Sequence, residues 1–142
     1  MEKAMLAPAA ALVVWTLVML VWMARSRFPA MAEAGLDIGT LPPGGRGQDL
    51  EGVLPDRVNW KAHNYTHLLE QPTLFYAVVV MLAMMEPTLD LVVAAWLYTL
   101  LRIIHSVWQA TVNAIGIRLH LFRASTLVLG YLAVRTLLLT FN

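Results

Sequence analysis

The chain has 142 residues, of which 59% are hydrophobic and 13% are charged, well below the charged fraction of about 25% that is typical of soluble domains. Its formal net charge of +1 provides little electrostatic attraction for nucleic acid. The absence of cysteine excludes disulfides, thiolate zinc sites and a protein thiol nucleophile. We therefore expect an integral membrane protein of one domain, residues 1–142, surrounded by lipid bilayer and without a nucleic-acid partner.

Apolar runs predict the membrane helices. No charge interrupts the sequence from Ala4 to Ala24, and about 20 apolar residues suffice to cross a bilayer. Arg25 and Arg27 follow this run where a signal peptide would have a small-residue cleavage site. The fold class is predicted as all-α, an integral membrane four-helix bundle. The predicted helices cover about residues 5–23, 61–85, 88–112 and 119–140.

The connection of residues 28–59 is the longest one. It contains the turn-rich stretch LPPGGRGQDLEG, which lacks the Gly-Lys-Ser/Thr ending of a phosphate-binding loop. Connections of this length are often functional or disordered, and we expect a mobile cap at the membrane surface. Because lysine and arginine concentrate on the cytoplasmic side, we expect this loop in the cytoplasm and both termini outside. If the source is bacterial, the membrane is the inner, plasma membrane. The basic residues of the loop and its flanks are Arg25, Arg27, Arg46, Arg57 and Lys61.

The second predicted helix opens with the polar stretch HNYTHLLEQPTLFY. His63, His67 and Glu70 have the spacing i, i+4, i+7, which places them on one helical face. Ionisable residues in membrane helices usually face the bundle interior or a water-filled cavity. The pattern therefore predicts an inward-facing polar stripe.

The third predicted helix carries a matching stripe of Arg102, His105 and Gln109. Arg102 is more than a turn from either expected interface, so it needs an anion. Glu70 is the acidic residue deep within a predicted helix, and a Glu70–Arg102 ion pair is the simplest solution. Such a pair could also serve only as a tie between helices.

Three interpretations of the stripes remain open. Two histidines and a glutamate can supply metal ligands, although nearby arginines would repel a cation, and we predict no metal site. A His/Glu relay could transfer protons. An anionic small molecule could bind where helices two, three and four meet, because the planar fork of arginine suits carboxylates. The candidate cations for that site are Lys61, Arg102, Arg118 and Arg123.

At these residues the chain resembles the MAPEG family, the membrane-associated proteins in eicosanoid and glutathione metabolism. The similarity extends over the whole chain and includes the basic end of the first helix, ARSRF, and the segment LLEQPTLFY, which is close to that of bacterial members. The Arg102-x-x-His105 motif and Arg118 are also similar to family positions. Three positions differ: histidines stand at the family's helix-two Arg and Asn positions, and glutamine stands at a helix-three Tyr position. These are His63, His67 and Gln109.

The resemblance implies a homotrimer with glutathione as co-substrate between neighbouring subunits, near the cytoplasmic face. Arg118 would be catalytic, because a guanidinium favours the nucleophilic thiolate. Glu70, Arg102 and Lys61 would bind the polar ends of glutathione. The residues expected to assist are His63, His67, His105 and Gln109. The implied function is a transferase or peroxidase acting on lipophilic electrophiles; the alternative is a non-catalytic membrane protein with a structural Glu/Arg/His network.

Overall fold

The structure is a computed structural model that describes residues 1–85 and 87–141. Within these ranges the chain forms five α-helices and no strand. They are α1 (Glu2–Glu33), α2 (Asp56–Leu68), α3 (Gln71–Ala83), α4 (Leu89–Thr111) and α5 (Ile115–Leu139). Since α2 and α3 together form one crossing, the described residues contain four segments long and apolar enough to span a membrane. The prediction of an all-α, four-helix membrane protein is confirmed.

Helix α1 is longer than the sequence pattern indicated. Its 32 residues correspond to about 48 Å at 1.5 Å per residue, whereas the apolar core of a bilayer is about 30 Å thick. The helix continues past residue 23, through Arg25 and Arg27, to Glu33. Arginine is a good helix former, so the charges mark the end of the apolar segment without ending the helix.

The second crossing is interrupted in the middle. Helix α2 ends at Leu68, α3 begins at Gln71, and Glu70 between them has φ −84° and ψ −98°. Pro72 occupies the first turn of α3; proline has no N–H, and its ring would clash with the carbonyl four residues earlier in a continuous helix. The chain therefore breaks beside a predicted site residue, where we expected one helix over residues 61–85.

A tight turn joins α4 to α5. Asn113 has φ 55°, the left-handed conformation that asparagine tolerates better than most residues. The indole Nε1 of Trp108 donates to the carbonyl of Ala114 at 3.1 Å. Helix α5 then begins at Ile115, earlier than the predicted residue 119. This start places Arg118 in the first turn of α5.

The core forms where α1 packs against α2, α3 and α4, and where α5 packs against α3 and α4. At its centre the rings of Phe75 and Tyr98 stack at 4.2 Å. The outward faces are also apolar: Leu74 and Leu127 are 62% and 75% exposed. Because every crossing presents such residues to its surroundings, these faces fit a lipid bilayer.

The long connection packs against the ends of α1 and α2. Arg27 Nη2 donates to the carbonyl of Gly47 at 3.0 Å. Asn59 Nδ2 donates to the carbonyls of Leu50 and Leu54, both at 3.3 Å. One cavity is lined by residues of this connection and by Asn113, so the long connection and the α4–α5 turn lie at the same end of the bundle.

Candidate functional site

An open cleft of about 340 Å³ lies between α2 and α5, with α4 forming its inner wall. It gathers six of the eight predicted site residues, all except Lys61 and Arg102. Three further residues of α5 complete the lining, and the sequence reasoning did not identify them. The cleft residues are His63, His67, Glu70, His105, Gln109, Ile115, Arg118, Leu119 and Phe122.

The α2 wall carries two carboxylate–histidine contacts. His67 Nδ1 lies 2.9 Å from Glu70 Oε2, and His63 Nε2 lies 2.8 Å from Glu51 Oε1. Glu51 belongs to the long connection, so this connection reaches the mouth of the cleft. Its role was missed because residues 12 apart in sequence, one in a loop and one in a helix, show no periodic relation.

The expected Glu70–Arg102 ion pair does not form within the chain. The Glu70 side chain is 61% exposed and contacts His67 instead. The break at residues 69–70 explains the difference, because Glu70 lies between the two helices and its side chain contacts His67 at the cleft. The pair was predicted from the spacing of an uninterrupted helix, and that prediction was wrong.

Arg102 is fully buried behind the cleft. Its Nη2 donates to the carbonyl of His67 at 3.1 Å, one of the last carbonyls of α2 that have no partner within a helix. Its Nε and Nη1 have no hydrogen-bond partner among the described residues. Because unsatisfied buried donors are costly, the guanidinium has unused capacity for an anion or for water.

The inner wall contains an aromatic group. The rings of His67 and His105 are 5.0 Å apart, and the ring of Phe122 lies 5.4 Å from that of His67. Gln109, one turn further along α4, is buried, and its Oε1 has no partner in the part of the chain that the structure describes. Gln109 therefore keeps a free acceptor at the cleft.

Arg118 stands at the opposite wall, in the first turn of α5. Its Nη1 donates to Asn113 Oδ1 at 2.6 Å, so the residue that forms the turn also orients the guanidinium. The amides at the start of a helix and the positive end of its dipole favour anions. Arg118 thus adds a cation where the helix already has a positive potential.

Three other polar residues lie outside the cleft. Lys61 Nζ donates to the carbonyl of Arg57 at 2.8 Å and lies 5.6 Å from the ring of Trp22. Asn64 is fully buried and donates to Ser106 Oγ at 2.8 Å. Arg123 is exposed on α5. The structure therefore does not bring Lys61 to the predicted site.

No group of three or more His, Cys, Asp or Glu side chains within residues 1–85 and 87–141 has a geometry that could hold a metal ion. The two histidines that approach each other, His67 and His105, make a ring contact. The cleft is partly exposed and contains a guanidinium, histidines and one carboxylate.

The family model described as "MAPEG family" matches residues 5–138, which is nearly the whole chain. The chain belongs to the MAPEG family. No curated protein and no solved structure matches it. Within this MAPEG chain, the cleft contains the positions at which the sequence resembles the family motifs: Glu70 of helix two, His105 of helix three and Arg118 at the start of α5. It also contains the positions that differ, His63, His67 and Gln109.

Proposed function

We propose that this MAPEG protein is a glutathione-dependent transferase or peroxidase that acts on lipophilic electrophiles. The observation that carries the proposal is the meeting of the Arg118 guanidinium, the Glu70 carboxylate and three histidines in one open cleft. Glutathione has a thiol, an ammonium group and two carboxylates, and the cleft offers a group of suitable chemistry for each.

Arg118 is the residue we assign to the thiol. A free thiol has a pKa near about 8.5, and a neighbouring guanidinium favours the thiolate, which is the nucleophile. The thiolate would attack the electrophilic carbon, form the carbon–sulfur bond and displace the leaving group or open a strained ring. In the peroxidase reaction, the O–O bond of the peroxide breaks, and two glutathione molecules supply two electrons and two protons; they become glutathione disulfide, and the peroxide becomes alcohol and water.

The polar ends of glutathione would be held at the α2 side of the cleft. The exposed carboxylate of Glu70 suits the ammonium group, and His63 and His67 suit a carboxylate when they are protonated. Arg102 would support this arrangement from behind, since it holds the carbonyl of His67. Lys61 has no part in this proposal, because it lies outside the cleft.

The cleft opens on the outer surface of a single chain, so one protomer cannot enclose a bound ligand. A homotrimer in which a neighbouring subunit covers the cleft would exclude water from the thiolate. The arginines of the long connection favour placing this end of the bundle in the cytoplasm, with both termini outside. A lipophilic electrophile would then reach the cleft from the bilayer.

One observation favours the non-catalytic alternative. Asn64 and Trp15 both donate to Ser106 Oγ, at 2.8 and 2.9 Å, so polar side chains beside the stripe join α1, α2 and α4. In this second candidate, the cleft residues would also only join helices.

Calorimetric titration of glutathione into the detergent-purified protein at pH 6 and pH 8 tests the proposal. We expect binding that Arg118→Ala abolishes and that Arg123→Ala, an exposed arginine on the same helix, leaves intact. Tighter binding at pH 6 than at pH 8 would assign a cationic role to His63 and His67, because a histidine carries a positive charge only when it is protonated. Absence of binding at millimolar glutathione at both pH values would overturn the proposal.

A further inference from the structure

A second group of cavities lies beneath the long connection. The first is an apolar cup of about 500 Å³ between the end of α1 and the connection. This volume is in the range of sites that bind small ligands. The cup is lined mainly by Phe28, Met31, Leu36, Ile38, Leu41 and Val53.

A polar chamber of about 630 Å³ adjoins the apolar cup. The two cavities share Arg46 and Gly47 in their walls, so they meet at this point. A Cβ atom on Gly47 would lie 2.7 Å from Arg27 Nη1. The glycine therefore allows Arg27 to reach the junction between the apolar and the polar cavity.

In the polar chamber the acidic side chains have ion-pair partners, whereas the arginines have none among the described residues. Its two glutamates, Glu51 and Glu70, each contact a histidine, at 2.8 and 2.9 Å. Neither Arg27 nor Arg46 forms an ion pair among the described residues. Arg27 Nε is buried without a partner there. Guanidinium groups with unused donors favour an anion.

Each of the two cavities also contains acid. Asp49 lines the cup, and its Oδ2 accepts from the backbone N–H of Arg46 at 2.7 Å. In the chamber, Glu51 and Glu70 contact His63 and His67, and Glu51 also interacts electrostatically with Arg27. We therefore place an anionic group at the junction itself, between the side chains of Arg46 and Arg27, because both arginines reach that point. The apolar cup can therefore hold an apolar chain, while the arginines at its junction with the polar chamber can bind an anion.

The position of the junction identifies the ligand class. Phe28 and Met31 belong to the last turns of a membrane-spanning helix, and the other walls belong to the connection between two crossings. The cup therefore lies where the bilayer meets water. We propose that the long connection binds one anionic phospholipid of the bilayer, with an acyl chain in the apolar cup and the phosphate beside Arg46 and Arg27. This inference does not rest on glutathione chemistry.

Photo-crosslinking in nanodiscs tests this site. The full-length protein is placed in phosphatidylcholine discs that contain a trace of phosphatidylglycerol with a diazirine on one acyl chain, and labelled peptides are mapped by mass spectrometry. The same experiment uses phosphatidylcholine with the same chain. We expect phosphatidylglycerol to label residues 28–53 more strongly, by roughly fivefold for each arginine that contacts the head group.

Two variants distinguish specific binding of the lipid at this site from non-specific attraction of anionic lipid to a basic surface. Arg46→Gln should remove roughly fivefold of this labelling, whereas Arg25→Gln, an exposed arginine outside both cavities, should change it little. Equal labelling by the two lipids, or equal losses in the two variants, would overturn the proposal. So would full protection by a free fatty acid at the trace concentration of the lipid, because the ligand would then be a single-chain carboxylate. None of these readouts requires glutathione, so the two proposals fail separately.

Discussion

Helices α4 and α5 carry a polar cluster at each end. In one cluster the polar side chains bond to one another, whereas in the other several buried polar atoms have no partner among the residues that the structure describes. At one end, Asp90 Oδ2 accepts from Tyr131 Oη at 2.8 Å and from Arg135 Nη1 at 3.0 Å. Arg135 also donates to Tyr131 Oη at 3.0 Å. In this Asp90 cluster each of the three side chains is bonded to the other two, and none of them lines a cavity described above.

In the cluster at the other end, some polar atoms have no hydrogen-bond partner within the described ranges. Arg102 keeps two nitrogens without partners, and Gln109 keeps a free carbonyl oxygen, within the part of the chain that is described. An open cleft lies beside them. Polar groups that satisfy one another are typical of a structural tie, whereas unsatisfied buried groups next to a cavity indicate a place for a ligand. The comparison therefore favours function at the cleft end.

The largest effect is expected for Arg118→Ala. Removal of a group that stabilises a developing or resident anion commonly lowers turnover by about 100- to 1,000-fold, and we expect a loss of this size with a lipophilic electrophile in the glutathione conjugation assay. Arg123→Ala is the matched control and should keep turnover within about twofold of the wild-type rate. Equal turnover rates for Arg118→Ala and wild type would mean that the cleft end of the bundle is not the site of catalysis.

Arg102→Met should separate stability from binding. Because the buried guanidinium has unsatisfied donors, its replacement by an apolar side chain should raise the ligand-free stability by about 1 kcal/mol. Millimolar glutathione should then protect the variant less than it protects the wild type. Thermal unfolding in detergent, with and without glutathione, measures both effects.

The opposite result for Arg102→Met would also be informative. A lower unfolding temperature of the ligand-free variant would mean that the contacts of Arg102 outweigh the cost of its unpaired donors; these contacts are its bond to the His67 carbonyl and any pair with an anion of a neighbouring subunit. The two clusters would then both be structural ties.

Glu51→Gln should loosen the long connection where it reaches the cleft. The Glu51–His63 pair is about half exposed on both sides, and such pairs contribute up to about 1 kcal/mol. Hydrogen exchange of residues 47–54 should quicken by up to about fivefold. Glu33→Gln, at the exposed end of α1, should leave this exchange unchanged; an equal change in both variants would contradict the local role of Glu51.

The smallest effect is expected for Asp90→Ala. Its carboxylate is solvent-exposed, and exposed ion pairs contribute little to stability. The unfolding temperature should fall slightly, and glutathione binding should not change, because the Asp90 cluster is at the other end of the bundle. A loss of binding in Asp90→Ala would show that the two ends are coupled.

The predicted fold followed from features that need no tertiary information. Apolar segments of about 20 residues have to cross the bilayer as helices, because the backbone has no other hydrogen-bond partners there. Charge marked the end of apolar segments but not the end of helices, which is why α1 exceeds its predicted length. Pro72 could have predicted the break in the second crossing, because proline interrupts a continuous helix. The prediction of one straight helix did not include this break, so it misplaced the side chain of Glu70.

By itself, the sequence determined four apolar crossings, a polar stripe on two of them and the residue types available for chemistry. Only the tertiary structure decided which stripe residues meet. It brought His63, His67, Glu70, His105 and Arg118 to one cleft and turned Asn64 into the core. Periodicity gives the face of a straight helix, whereas a break, a left-handed residue at position 113 and contacts between distant segments set where each side chain points.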